Sequence, residues 1–447
     1  MESEMVSSEI AKEMIKPSSS PPHLRKLQLS FLDQLAPPTY IHIILYYQAF
    51  HHHHDSGETS RKLKRSLSDA LAVYYPLAGR IRENSWVDCN DAGAEYVEAW
   101  FNNVQLSDVV EKSGSEELKQ YVPVEPSGGR DIPLAVQVSF FGCGGTAIGV
   151  CLSHRVADAM SLVTFINAWA AACRGDAKTI AVTQPIFSVA SRFPPADFSK
   201  YFPSGPPLPP PPPQKIVTKR FVFNEKKLAA LRKAASGPMM EKPTRVEAVS
   251  AFIWCHVIKA TRSKDKLNEE ERVFAATHAV DIRPRASPPL PHQFFGNACA
   301  RAMAMTTTAE IEPDYYELAF KLRDGIRKSD ADYVTRLENG DSFLKYYADN
   351  EENDPTFKDG RKILEMCGFT SWYRLPAYEV DYGWGKPVWV SIIGVPHKNL
   401  IFFLGTKAGD GIEAWVNMTE EDMAIIEHSY HLLNKLDQWT DEVTHVV

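Results

Sequence analysis

The chain has 447 residues, of which 44% are hydrophobic and 23% charged, and its 49 Lys and Arg against 56 Asp and Glu leave a net charge of −7. This is the composition of an ordinary globular protein, long enough for two domains, and it excludes collagen-like, coiled-coil and disordered readings of the bulk of the chain. The mildly acidic balance also argues against broad nucleic-acid binding, which needs a basic footprint.

The first twenty residues are polar and lead into Pro17-Ser18-Ser19-Ser20-Pro21-Pro22, which reads as a loose arm. Residues 40–47 (YIHIILYY) are β-branched and aromatic and predict a buried strand. A helix is expected over 63–71, stopping before Tyr75-Pro76-Leu77-Ala78-Gly79-Arg80, and a strand over 96–104. Two strands, 134–141 and 148–152, flank a glycine-rich stretch from Gly142 to Ala147. That stretch fits the loose dinucleotide pattern G-x-G-x-x-A, but the pattern works only where a helix follows. A strand follows here, so a hairpin turn is the better reading. Residues 157–173 predict a long helix, with Met160, Phe165, Ile166, Trp169 and Cys173 among its apolar positions and Gly175 as its stop.

Pro206-Pro207-Leu208 and then Pro209 to Pro213 form the sharpest break in the chain. Proline has no N–H to donate, so this run belongs in an extended polyproline II linker. Beyond it, a strand (215–223), a helix (225–235) and a second helix (244–260) are expected, the last carrying Val246, Val249, Phe252, Ile253 and Val257 at helical spacing. Strands are expected at 388–393 and 400–404. A final helix over 420–436 is opened by the capping pattern Thr419-Glu420-Glu421-Asp422. The alternation of strands and helices predicts an α/β protein of two similar-sized domains with mixed sheets, at 1–200 and 217–447, joined by a proline-rich crossover at 201–216.

The N-terminus carries acidic residues where a secretory signal needs basic ones, and no apolar stretch is long enough to span a bilayer. The seven cysteines include no C-x-x-C pair, which fits reduced thiols in a cytoplasmic protein and neither a disulfide framework nor zinc. His51 to His54 reads as a solvated loop without ligand geometry, so no metal is expected. No H-E-x-x-H, Walker A or G-x-S-x-G sequence is present; Gly340-Asp341-Ser342-Phe343-Leu344 fails the last at its fifth position.

Two motifs remain. His154 and Asp158 stand where the strand ending near residue 152 meets the following helix, a place from which side chains reach a cleft. On spacing alone they are equally a surface pair, and Asp158 in a first helical turn is favoured by the helix dipole without any function. Asp381-Tyr382-Gly383-Trp384-Gly385-Lys386-Pro387 makes a tight turn that, taken alone, is a packed structural loop.

Together these motifs resemble the BAHD acyltransferases, which move an acyl group from coenzyme A to an alcohol or amine and carry HxxxD in mid-chain and DFGWG nearer the C-terminus. Tyr382 stands where the family usually has Phe. The resemblance extends to Leu29-Ser30-Phe31-Leu32-Asp33, to the block from Tyr75 to Arg80, to Phe294-Phe295-Gly296-Asn297 and to Thr370-Ser371-Trp372. The run from His154 to Gly175 is most like the vinorine synthase branch, whose members acetylate alkaloid or terpenoid hydroxyls.

The resemblance implies a chloramphenicol acetyltransferase-like pair of domains with a channel at their interface, His154 in its middle, and acyl-CoA and acceptor entering from opposite ends. It implies acetyl-CoA as co-substrate, no permanently bound cofactor, a small-molecule acceptor, no nucleic-acid or membrane partner, and a monomer. His154 would be the general base, and Thr370 and the Trp372 indole would be donors to the oxyanion. Asp158 would support the site by pairing with an arginine, Arg283 or Arg285. Thr244, Arg245 and Ser371 would contact coenzyme A. Asp381, Gly383, Trp384 and Gly385 would hold their own loop. Terpenoid and phenylpropanoid alcohols are alternative acceptors, and a non-catalytic relative is the alternative of another class. A nucleophilic Cys151 is a third reading, though nothing in the sequence marks it as activated.

Overall fold

The computed structural model describes residues 9–20, 25–49, 56–112, 114–176, 178–179, 183–198, 214–264, 273–307, 314–351 and 364–435. The proline run and His51 to His54 lie outside the described residues. The chain divides into two compact units: 1–196 with 288–299 and 375–393, and 197–287 with 300–374 and 394–447.

The first unit is built on a six-stranded sheet in the order β1-β6-β7-β8-β3-β13. These strands are β1 (Glu9–Ile15), β3 (Tyr40–Tyr47), β6 (Ala94–Phe101), β7 (Leu134–Phe141), β8 (Thr146–Ser153) and β13 (Trp389–Ser391). β6 and β7 run parallel and the other neighbours antiparallel. A small sheet of β2 (Lys26–Gln28), β5 (Trp86–Asp88) and β4 (Arg80–Arg82) belongs to the same unit. Every residue of β3, β7 and β8 is buried, which is why they read as continuous apolar runs rather than as alternation. The turn joining β7 to β8 is the hairpin expected from its glycines, with Gly144 in the left-handed region at φ 81°.

The helix Ser56–Val73 starts two turns before the expected 63–71, because its opening turns are polar and carry no apolar period. It packs against the helix Ala159–Arg174: the Trp169 indole Nε1 donates to Leu63 O and Ser66 Oγ at 3.2 and 3.1 Å.

The expected loose arm needs correction over residues 9–15. These form β1, paired with β6 from Glu9↔Trp100 to Ile15↔Ala94. An edge strand is held by backbone hydrogen bonds that need no apolar pattern. Ion pairs from Lys12 to Glu95 at 2.9 Å and from Lys64 to Glu13 at 2.6 Å add to it.

The second unit carries a six-stranded sheet in the order β11-β10-β12-β14-β15-β9. Its strands are β9 (Ile216–Phe223), β10 (Val273–Asp281), β11 (Cys299–Thr307), β12 (Leu364–Ser371), β14 (Leu400–Gly405) and β15 (Ile412–Thr419). β10, β12 and β14 are parallel neighbours, whereas β14–β15 and β15–β9 are antiparallel. The helix Arg245–Lys264 buries Val249, Phe252, Ile253, Trp254 and Val257 in a core shared with Phe369, Phe403 and Val416. The final helix is Glu420–Lys435, and Thr419 Oγ1 accepts from Asp422 N at its start.

The units are not two contiguous halves of the chain. The turn from Asp381 to Gly385, assigned from sequence to a C-terminal domain over 217–447, lies in the first unit. The cause is strand pairing: β13 adds to β3, with Trp389 opposite Tyr46 and their rings stacked at 4.9 Å, and so carries its segment into the first sheet.

Candidate active site

β8 ends at Ser153, and the chain turns tightly before the helix Ala159–Arg174 begins. The His154 N–H donates to Thr39 O at 2.8 Å, and Val156 N closes the turn onto Ser153 O. The sequence places Asp158 inside the first turn of a helix from 157. In the structure it stands just before the helix as the N-cap, extended at φ −94° and ψ 179°, and its Oδ1 accepts from Ser161 N at 2.9 Å. The first N–H groups of a helix have no partner within it, and a carboxylate at this position supplies one.

Asp158 also reaches a segment distant in sequence. Its Oδ2 accepts from Ala298 N at 3.0 Å and from the Cys299 thiol at 3.5 Å. Ser161 Oγ donates to Gly296 O and accepts from Gly296 N. Gly296 has φ 148°, and a Cβ there would lie 2.5 Å from Val189 Cγ2, so a side chain is excluded on both counts. These bonds set the residue that follows.

That residue is Asn297. Its Oδ1 lies 3.0 Å from His154 Nδ1, and its Nδ2 donates to His154 O at 2.7 Å and to Asp33 Oδ1 at 2.8 Å. With Nδ2 committed to two acceptors, Oδ1 is the atom that faces the imidazole, so Nδ1 carries the proton and Nε2 holds the lone pair. Burial lowers the His154 pKa below the ordinary histidine value, against smaller raising effects of its own carbonyl, Asp158 and Asn297. The ring is therefore neutral at neutral pH. It pairs through Nδ1 with Asn297 and not with Asp158, so the arrangement is not a His–Asp couple.

Asp381 folds its own turn. Its Oδ1 accepts from Gly383 N at 2.7 Å and Gly385 N at 2.9 Å, and both glycines have positive φ, 106° and 102°. Arg174 donates to Asp381 O. Tyr382 is fully buried, edge-on to Trp169 and Tyr47 and stacked on Trp384.

The remaining expected residues lie in the second unit. Thr370 and Ser371 end β12, opposite Phe402 and Phe403. Trp372 follows, buried, with its N–H on Phe403 O and its ring edge-on to Phe402. Thr244 caps the helix Arg245–Lys264: its Oγ1 accepts from Glu247 N, and Glu247 Oε2 accepts from Thr244 N. Arg245 donates to the Tyr373 hydroxyl and to Gly409 O. Arg283 is buried and meets Asp281 Oδ1 at 3.2 Å. Arg285 donates to Ile326 O and Ser329 O, at 2.8 and 2.7 Å.

Cys151 is fully buried in β8, and that burial pushes its thiol far up, so the thiolate needed for a nucleophile is suppressed. Among the described residues no group of three or more His, Cys, Asp and Glu could hold a metal, and no helix is long and apolar enough to cross a membrane.

No spacing or motif in the sequence gives Asn297 or Asp33 a role. Both stand in blocks that carry the family resemblance. Ser30-Phe31-Leu32-Asp33 also fits the pattern of a helix cap, which it forms, and the cap reading gives no hint of the second oxygen's partner.

The Transferase family matches residues 6–433. The chain is 39% identical over 434 residues to stemmadenine O-acetyltransferase of Catharanthus roseus, covering 94% of this chain and 96% of that one. It is 41% identical over 428 residues to vinorine synthase of Rauvolfia serpentina, covering 93% and 95%. With limonoid 1-O-acetyltransferase of Citrus sinensis the figures are 35% over 435 residues, covering 95% and 97%. The crystal structure of vinorine synthase superposes with a TM-score of 0.80 at 38% identity, over 95% of this chain and 98% of that one. A Fusarium graminearum TRI101 structure, complexed with coenzyme A and T-2 mycotoxin, reaches 0.68 at 18% identity over 90% and 97%, a likeness of fold. Fold and sequence thus define a two-domain α/β transferase. The chain belongs to the BAHD acyltransferases and is an acyl-CoA-dependent O-acyltransferase.

Proposed function

We propose that this enzyme transfers acetyl from acetyl-CoA to a hydroxyl of a specialised metabolite, an alkaloid in the first instance, with His154 as general base. The observation that carries the reading is the His154–Asn297 contact, which leaves Nε2 as a lone-pair nitrogen on a neutral ring. Nε2 takes the hydroxyl proton as the acceptor oxygen bonds to the thioester carbon. The tetrahedral intermediate then expels the coenzyme A thiolate, which receives the proton back from the imidazolium. Direct transfer of this kind needs no acyl-enzyme, and holding both substrates together supplies much of the rate gain.

Thr370 and Trp372 remain the proposed oxyanion donors, and Thr244, Arg245 and Ser371 the proposed coenzyme A contacts, on family position. Arg283 or Arg285 remains the proposed partner of Asp158, on family position. A cytoplasmic monomer is proposed as the working state.

The names of the relatives support the acetyl donor and the alkaloid acceptor. The limonoid acetyltransferase at 35% identity favours a terpenoid alcohol as the second reading. Purified protein incubated with acetyl-CoA and a panel of hydroxylated alkaloids, terpenoids and phenylpropanoid alcohols, read by mass spectrometry, decides between them. Acetylated alkaloid made by the wild type and not by His154→Ala is the expected result. Acetylation confined to terpenoids would move the acceptor class. No product from any acceptor with acetyl-CoA or longer thioesters would overturn the reading.

A further inference from the structure

We propose that Asp33 is a positioning residue for the reaction: it locks the Asn297 amide in the orientation that keeps the His154 proton on Nδ1 and the lone pair on Nε2. This deepens the reading of His154 as the base and rests on it.

An asparagine amide is nearly symmetric in shape, so sterics alone do not fix which end faces the ring. Turned over, Asn297 would present Nδ2 to His154 Nδ1 and donate to it. Nδ1 would then have to carry the lone pair and Nε2 the proton, and the ring could not accept a proton from a substrate. Two contacts oppose the flip. His154 O would meet Asn297 Oδ1 instead of Nδ2, placing acceptor on acceptor. Asp33 Oδ1, a carboxylate oxygen, would meet the same oxygen at the position where it now accepts from Nδ2 at 2.8 Å. The second is the stronger objection, because it sets a negative charge against a carbonyl dipole in a buried place.

Asp33 is held in turn. Its Oδ2 accepts from Ser30 N at 2.8 Å and from Ser30 Oγ at 2.7 Å, and Oδ1 accepts from Asn297 N at 2.9 Å as well as from Nδ2. Capping the five-residue helix Phe31–Leu35 uses Oδ2. Oδ1 is spent wholly on Asn297. A cap alone needs no burial, yet Asp33 is 3% exposed, and a carboxylate out of water is costly unless its bonds are well made. Ser30, Asp33, Asn297 and His154 thus form one chain of hydrogen bonds within the first unit.

The test is nuclear magnetic resonance of protein labelled with 15N-histidine at pH 8, with the His154 signals assigned by their loss in His154→Ala. In the wild type, Nδ1 should read as the proton-bearing nitrogen. Asp33→Ala should bring up the form protonated at Nε2 and lower kcat by about tenfold or more, with KM for acetyl-CoA unchanged within about twofold. Asp33→Asn keeps the shape of the side chain, and so the fold, and should fall between the two. Thr419→Ala removes a helix cap in the second unit, outside this chain of hydrogen bonds, so it should leave the tautomer and kcat as they are. Nδ1–H persisting in both Asp33 variants would overturn the proposal, as would a tautomer change in Thr419→Ala equal to that in Asp33→Ala. Either result leaves the His154 reading intact if the wild type still acetylates. A wild type that acetylates nothing defeats that reading while the tautomer remains measurable.

Discussion

The role proposed for His154 rests on the company its other nitrogen keeps. Burial lowers its pKa below the ordinary value of 6.5, so protonation sets in only under that pH. The kcat/KM profile should be flat from pH 7 upward and fall only below about 6.5. An acid limb centred above pH 7 would contradict it. Asp33 titrates in the opposite sense. Burial raises its carboxyl from 3.8 to about 6, so between pH 4 and 6 the folded protein binds a proton that the unfolded chain releases. Stability from this group is fully present below pH 4 and is lost as pH rises through 6, by roughly 3 kcal/mol for a shift of this size. Urea unfolding of wild type and Asp33→Asn should therefore show the wild type's relative stability declining from pH 4 to pH 7. A constant difference would speak against a raised Asp33. Tyr382 offers a simpler case. Its hydroxyl is buried with no hydrogen-bond partner among the described residues, and the family usually carries Phe there. Tyr382→Phe should raise stability by about 1–2 kcal/mol in thermal or urea unfolding, and a loss of that size would mean the hydroxyl has a partner.

At the scale of elements, the junction between β8 and the helix Ala159–Arg174 does the positioning. Asp158 caps that helix and holds the backbone of Ala298, so one carboxylate joins two chain segments 140 residues apart. Asp158→Ala should cost about 2–4 kcal/mol, the loss of a cap plus a buried donor left without its acceptor. The soluble, folded fraction should keep turnover within a few-fold. A variant that unfolds like the wild type but is as inactive as His154→Ala would move Asp158 into the chemistry. Much of this was legible in the sequence. The apolar runs of β3, β7 and β8, the proline-free helices and the glycine stop at Gly175 each follow from local residue chemistry. β1 was not, because an edge strand held by main-chain bonds carries no apolar alternation. Nor was the Asn297–His154 contact, since no spacing rule joins residues 143 positions apart.

For the whole molecule, the sequence suggests two halves in succession, and the structure interleaves them. Residues 288–299 and 375–393 return to the first unit, one bringing Asn297 to His154 and the other adding β13 to the sheet. Both motif segments, His154 to Asp158 and Asp381 to Gly385, therefore belong to the first unit, tied through Trp169 and Arg174. Composition and length predict two bodies but carry no information on such returns, which are set by long-range pairing. The central claim, that His154 acts as the base in direct transfer from acetyl-CoA, is met most directly by one paired measurement on His154→Ala. This is kcat with an accepted alkaloid, alongside the affinity for coenzyme A by calorimetry. If His154 is the base, kcat should fall by about 10²–10⁴-fold with affinity unchanged. Turnover within a few-fold of wild type would contradict it.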